Sequence, residues 1–128
     1  MFEKCIYIMG DIMNCGIEVL KRLNEIINID LNEVIKNCEN KVNENGLSVY
    51  DLKIELNKVM PTYAIMSLKL IRNTPWIAFV GNKKNGHYVL VEKIDKYVWV
   101  YDPANKLKKC NKIYFYLLWS KTSLVFVL

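Results

Sequence analysis

The chain has 128 residues, 52% of them hydrophobic, and a domain of this size buries roughly two thirds of its unfolded surface. We therefore expect residues 1–128 to form one domain with one core. The net charge is +5, but the lysines are spread through most segments, which argues against a nucleic-acid-binding stripe. Four cysteines without a CxxC pairing and a single histidine predict no metal site and no cofactor.

Membrane insertion and export are not predicted. No stretch approaches the roughly 18 apolar residues of a membrane span, and the first residues have no basic region leading into a long apolar run. We expect a cytoplasmic protein with reduced thiols. The basic surface has two interpretations, a simple solvated surface or a field that attracts an acidic peptide.

The first half of the chain predicts three helices. Apolar residues recur at helical intervals from Cys15, with Asn14 as the N-cap. Asp30 caps a second helix, and Ser48 begins a third that ends at Pro61. The apolar positions of the first two helices are Ile17, Leu20, Leu23, Ile26, Ile27, Leu31, Val34, Ile35 and Cys38.

The second half predicts consecutive antiparallel strands, because Val, Tyr and Trp become frequent and turn residues separate the apolar runs. The predicted strands are 76–80, 87–94, 97–101 and 123–128, with a short helix at 111–119. Residues 63–72 favour neither structure. Helices followed by a sheet predict an α+β fold, with N-terminal helices packed on a C-terminal antiparallel sheet.

Cys15 is a candidate nucleophile. The first N–H groups of a helix are unpaired and carry about half a positive charge, which stabilises a thiolate and lowers the pKa of a cysteine there. Gly16 keeps side-chain bulk away from the sulfur, and the Cys15 amide can point at the oxygen of an attacked carbonyl. Taken alone, a buried structural role is more common for a cysteine. We assign that role to Cys5, Cys38 and Cys110.

His87 is the only histidine and begins a predicted strand. If this strand pairs with the next through the turn at Asp95-Lys96, Asp102 lies opposite Val89, diagonal to His87 and within side-chain reach. A carboxylate there can orient an imidazole that acts as the base for a cysteine nucleophile. Alone, a histidine is more often a surface or core residue, and Asp-Pro at the end of a strand is at least as often a turn initiator. The combination with Cys15 favours catalysis.

Segments spread over nearly the whole chain match one known family. They are Asn14 to Leu20, Gly46 to Ser48, Thr74 to Val80, Gly86 to Val91, Val98 to Ala104 and Lys112 to Ser120. In this order they resemble the bacteriocin-processing peptidases of the double-glycine leader type, which are papain-like cysteine peptidases. The resemblance implies that Cys15 is the nucleophile, His87 the base and acid, and Asp102 the residue that orients it.

By this resemblance the protein is a thiol endopeptidase that cleaves a precursor after a small pair such as Gly-Gly. A groove narrowed by Trp76 and Tyr88, next to Gly86, would admit glycine and exclude larger residues. The family is often the cytosolic front end of an exporter, whereas this chain has no membrane span. We therefore expect it to act in trans on a leader-bearing precursor peptide, before a separate ABC exporter, or to serve another task.

Two residues depart from the family pattern, and one of them is Asn14, which stands where the family usually has an aspartate before the cysteine. The family usually has a glutamine six residues before the cysteine, which completes the oxyanion hole, and here that position is Met9. Asp11 and Asn14 are the nearest polar substitutes. Losing one such donor typically costs about 2.7–4 kcal/mol in the barrier, so we expect a slow enzyme. Two alternatives remain at this point: a leader-binding or partner-binding module with little catalysis, and an acyl-transfer or deamidating effector.

Overall fold

The computed structural model describes residues 7–8, 11–12, 15–42, 46–66, 74–80, 87–103 and 106–126. The helices are α1 (Cys15–Ile26), α2 (Asn32–Glu39), α3 (Val49–Asn57) and α4 (Lys112–Leu118). The strands are β1 (Tyr7–Ile8), β2 (Asp11–Ile12), β3 (Thr62–Met66), β4 (Trp76–Val80), β5 (His87–Ile94), β6 (Val98–Asp102), β7 (Lys106–Cys110) and β8 (Trp119–Phe126). Helices α1, α2 and α3 thus precede the strands of the second half, in which α4 is the remaining helix. This order confirms the predicted α+β class.

The helix starts follow local hydrogen bonding. Ser48 is the N-cap of α3, and its Oγ accepts the N–H of Asp51 at 3.0 Å, as the sequence predicted. The prediction that Asp30 caps α2 was wrong by one residue, because Leu31 occupies that position. Asp30 instead accepts the N–H of Asn32 at 2.9 Å in a turn that precedes the helix.

Among the described residues, the main sheet has six strands in the order β3-β8-β4-β5-β6-β7, and each neighbouring pair is antiparallel. Leu90 pairs with Tyr101 and Val91 with Val100, which confirms the predicted register between β5 and β6. This register places Asp102 opposite Val89. The first part of the unassigned segment forms β3, whereas residues 67–73 lie outside the described residues.

Side chains alternate across the sheet and form two cores, one on each face, so the prediction of a single core was wrong. Helices α1, α2 and α3 cover one face, where Tyr88 and Leu90 of β5 pack with Leu20 and Leu23 of α1 in the helix-side core. The opposite face contains Trp76, whose ring centroid lies 6.2 Å from that of Phe115 in α4. Trp119 extends this second core, 5.2 Å from Trp76. The sheet is therefore buried on both sides.

Candidate active site

Cys15 is the first residue of α1 and is only 8% exposed. This position at the start of the helix is the one predicted for the nucleophile. The sulfur of Cys15 is part of a disulfide in this structure, which differs from the expectation of reduced thiols. Because a disulfide sulfur is not a nucleophile, the predicted chemistry needs Cys15 in its reduced form.

His87 and Asp102 come together at one end of the sheet. Nε2 of His87 lies 3.5 Å from Oδ2 of Asp102, and the side chains are 3% and 0% exposed. His87 begins β5 and Asp102 ends β6, so the register of these two strands produces the contact. A carboxylate almost completely removed from water interacts strongly with an imidazolium, because the surroundings screen little. The two strands thus bring an imidazole and a carboxylate together in a buried position.

Helix α1 packs against the two strands that carry this pair. It contacts β5 extensively and β6 to a lesser extent, and Cys15 belongs to the same helix-side core as Tyr88, the neighbour of His87. The three predicted residues therefore stand on three elements that pack directly on one another.

The two other thiols among the described residues have different surroundings. Burial raises the pKa of Cys38 to about 11, and the charge of Glu55 adds to this effect. Burial also raises the pKa of Cys110. Raised pKa values keep both thiols protonated near neutral pH, which suits the structural role that the sequence predicted for them.

The structure separates the two aromatic residues predicted to line a groove. Trp76 has no exposed surface and lies in the core against α4, whereas Tyr88 lies on the helix side of the sheet. Tyr88 is 5% exposed, and its hydroxyl donates to the carbonyl of Leu47 at 2.7 Å. Trp76 is thus placed where it supports the sheet, and Tyr88 joins β5 to the segment before α3.

The remaining predicted site residues are outside the described part. Met9, Asn14 and Gly86 are not among the described residues, and Asp11 is described only as part of the backbone of β2. Within the described ranges, no three His, Cys, Asp or Glu side chains gather as a metal site would require. Within the same ranges, no helix is long and apolar enough to cross a bilayer.

One contact between α1 and β5, away from the candidate triad, was not predicted from the sequence. Arg22 of α1 binds Glu92 of β5 through two hydrogen bonds, although the residues are 70 positions apart. Glu92 and Lys93 are charged residues near the end of β5, and nothing in their spacing indicated a partner on α1.

The architecture is similar to that of known peptidase domains. The peptidase domain of Streptococcus ComA, a bi-functional ABC transporter involved in a quorum sensing pathway, superposes with a TM-score of 0.70 and 20% identity, covering 99% of this chain and 98% of that one. A double glycine motif protease from an AMS/PCAT transporter, solved in complex with the leader peptide, superposes with a TM-score of 0.67 and 18% identity. The match covers 97% of this chain and 93% of that one. The fold is thus that of the papain-like cysteine peptidases, as predicted.

The family follows from the sequence itself. Residues 10–127 match the model of the Peptidase C39 family, so the chain belongs to this family. Membership confirms the predicted class, a cysteine peptidase. Comparison with curated protein sequences finds no match.

Proposed function

We propose that this protein is a thiol endopeptidase that cleaves a precursor peptide after a small-residue pair such as Gly-Gly. Cys15 is the nucleophile, His87 the base and acid, and Asp102 the residue that orients the imidazole. The observation that carries the proposal is the buried pair of His87 and Asp102, held 3.5 Å apart beside the helix that begins at Cys15.

The two ring nitrogens of His87 have different tasks in this proposal. Nε2 faces Asp102, so the proton of the Cys15 thiol passes to Nδ1. The thiolate attacks the scissile carbonyl, and the N–H of Cys15 donates to the resulting oxyanion. His87 then protonates the leaving amine as the C–N bond breaks, which leaves a thioester on Cys15.

Water completes the cycle. His87 takes a proton from the attacking water, the thioester bond breaks, and the proton returns to the sulfur of Cys15. Asp102 keeps its charge throughout and stabilises the imidazolium that forms twice in each turnover. Both products leave without a net change in the enzyme.

The substrate class is supported by the proteins that share this fold. One is the peptidase domain of an ABC transporter, and another is a double glycine motif protease in complex with a leader peptide. We extend this to a precursor with a double-glycine leader as the substrate, and to a separate ABC exporter as the partner that receives the product. The net charge of +5 favours an acidic leader.

The test is mass spectrometry of a set of double-glycine leader peptides incubated with the reduced protein. We expect cleavage after the small pair by the wild type and none by Cys15→Ala. Cys38→Ala is the matched control, because Cys38 is also a buried cysteine but lies on a different helix, α2. Turnover that survives in Cys15→Ala would overturn the proposal.

A leader-binding module with little catalysis is the second candidate. The observation that favours it is Met9 at the position where the family usually has the oxyanion glutamine. Thiol reactivity separates the two functions, because a catalytic Cys15 alkylates faster at pH 6 than Cys38 or Cys110 does. Intact peptide with measurable binding would favour the module. Absence of both cleavage and binding would favour an acyl-transfer or deamidating effector.

A further inference from the structure

Arg22 joins helix α1 to both strands of the candidate site. Its Nε donates to Oε2 of Glu92 at 2.7 Å, and its second terminal nitrogen donates to Oε1 of the same carboxylate at 3.0 Å. The guanidinium carbon also lies 5.4 Å from the ring centroid of Tyr101. Glu92 belongs to β5 and Tyr101 to β6, so one side chain contacts both strands.

Glu92 occupies an irregular point of the sheet. Val91 pairs with Val100 and Lys93 pairs with Trp99, so the register between β5 and β6 shifts by one residue at Glu92. Such a shift bends a strand and redirects a side chain. The redirected carboxylate is 14% exposed and the Arg22 side chain 29% exposed, which places the pair at the boundary between helix and sheet.

The two hydrogen bonds of the pair favour one relative placement of helix and strand. Two parallel N–H donors of a guanidinium match the two oxygens of a carboxylate, which gives geometric specificity as well as attraction. The hydrogen bond to Glu92 raises the pKa of Arg22 above its ordinary value, so the cation persists at every working pH. A lysine would offer a single point charge and could not bind both carboxylate oxygens in this planar geometry.

The three joined elements are the ones that carry the candidate triad. Cys15 begins α1, His87 begins β5, and Asp102 follows Tyr101 at the end of β6. Arg22 lies seven residues after Cys15, roughly 10 Å along the helix, and Glu92 lies five residues after His87, roughly 16 Å along the strand. A shift of the helix at Arg22 therefore displaces the sulfur relative to the imidazole.

We propose that Arg22 is a positioning residue, which fixes α1 on β5 and β6 so that the sulfur of Cys15 stays in reach of His87. This inference rests on the proposed function of these two residues. A displacement of about 1 Å at a catalytic group can lower a rate by roughly a hundredfold. We therefore expect loss of the pair to affect the reaction rate more than the stability of the fold.

The experiment compares Glu92→Gln and Arg22→Lys with the control Glu25→Gln, all in the reduced full chain. Glu25 also accepts from Arg22, at 3.2 Å, but it lies on α1 and is 66% exposed, so its loss leaves the link between elements intact. The readouts are kcat and KM for a cleaved leader peptide, and the pH midpoint for alkylation of Cys15 by iodoacetamide. Melting temperature is recorded for each variant.

We expect Glu92→Gln and Arg22→Lys to lower kcat about tenfold with little change in KM, because positioning acts on the chemical step. Both should raise the alkylation midpoint of Cys15, because the thiolate then gains less from His87. Glu25→Gln should match the wild type. If Glu92→Gln does not fold, Arg22→Lys decides the question alone.

The inference is overturned if both variants lower the melting temperature yet keep the wild-type kcat and alkylation midpoint, since the pair would then only stabilise the fold. Failure of the proposed function is distinct. In that case the wild-type protein itself shows an ordinary alkylation midpoint for Cys15, with no cysteine-dependent cleavage, and both proposals fall.

Discussion

Nε2 of His87 and Oδ2 of Asp102 lie 3.5 Å apart, and both side chains are almost completely buried. This separation is longer than the roughly 2.7–2.9 Å of a charge-assisted hydrogen bond, and catalytic contacts often tighten only when substrate is bound. We therefore expect this separation to shorten when a substrate is bound.

The first prediction concerns this pair. Asp102→Asn keeps the shape of the side chain but favours the wrong tautomer of His87, and we expect kcat to fall by roughly three to four orders of magnitude while the fold survives. His87→Ala should abolish cleavage. Peptide turnover measures both effects, and circular dichroism checks the fold. An Asp102→Asn variant with wild-type turnover would contradict the assigned role.

The second prediction concerns the oxyanion hole. Met9 stands where the family usually has a glutamine, so Met9→Gln restores a hydrogen-bond donor. If the missing donor limits the rate, kcat should rise by about 10²–10³. The control is Met9→Leu, which offers no donor and should leave the rate unchanged. An unchanged rate in a folded Met9→Gln variant would mean that another group already fills the hole.

Local patterns predicted the part of the fold that depends on neighbours in sequence. Apolar runs bounded by turn residues identified β4 and β5, and the turn after Ile94 determined the register that brings Asp102 opposite Val89. The loop is one residue longer than the predicted two-residue turn, since β6 begins at Val98. The shift at Glu92 restores the predicted register before the site is reached.

Long-range pairing could not be predicted in the same way. Strand β7 reads Lys106 to Cys110 with three lysines, a composition that protects a sheet edge and carries little strand signal. Strand β3 forms the other edge and pairs with β8, about sixty residues later, so no local pattern specifies it. The contact of Arg22 with Glu92 has the same origin, because only the packing of α1 creates it.

The third prediction concerns Glu55 of α3, which is 1% exposed. Hydrogen bonds from Lys41, at 2.7 Å, and from Lys58 and Asn37 lower the pKa of this carboxyl from 4.5 to about 2. The folded pKa lies below the unfolded one, so the contribution to stability is present above pH 4.5 and is lost as the pH falls towards 2.

We therefore expect the free energy of unfolding of the wild type to decrease between pH 5 and pH 2 more steeply than that of Glu55→Gln. Urea denaturation at a series of pH values measures this difference. Glu39→Gln, at the exposed end of α2, is the control and should retain the wild-type slope. Parallel slopes for the wild type and Glu55→Gln would contradict the prediction.

The fourth prediction concerns the oxidation state of Cys15. Because its sulfur is in a disulfide in this structure, the oxidised protein should be inactive and should not react with iodoacetamide at Cys15. A reductant should restore both peptide cleavage and labelling. Peptide mapping after alkylation, with and without reduction, measures the modified fraction of Cys15. Full activity of protein in which Cys15 is still disulfide-bonded would contradict the assignment of Cys15 as the nucleophile.

The fifth prediction concerns the contact between Tyr88 and Leu47. The Tyr88 hydroxyl donates to the Leu47 carbonyl at 2.7 Å in a buried position, and burial raises the pKa of the phenol, so it remains a neutral donor. Tyr88→Phe retains the edge-on ring contact with Phe79, at 5.3 Å, but leaves the buried carbonyl without this donor. We expect the free energy of unfolding to fall by about 1–3 kcal/mol.

Urea denaturation of Tyr88→Phe measures this loss, and Tyr50→Phe is the matched control because Tyr50 is 72% exposed. Since the contact joins β5 to the segment before α3, a loss confined to Tyr88→Phe would show that the helical and sheet halves depend on this hydrogen bond. Equal stability of the two variants would mean that packing of the ring, rather than the hydroxyl, holds the halves together.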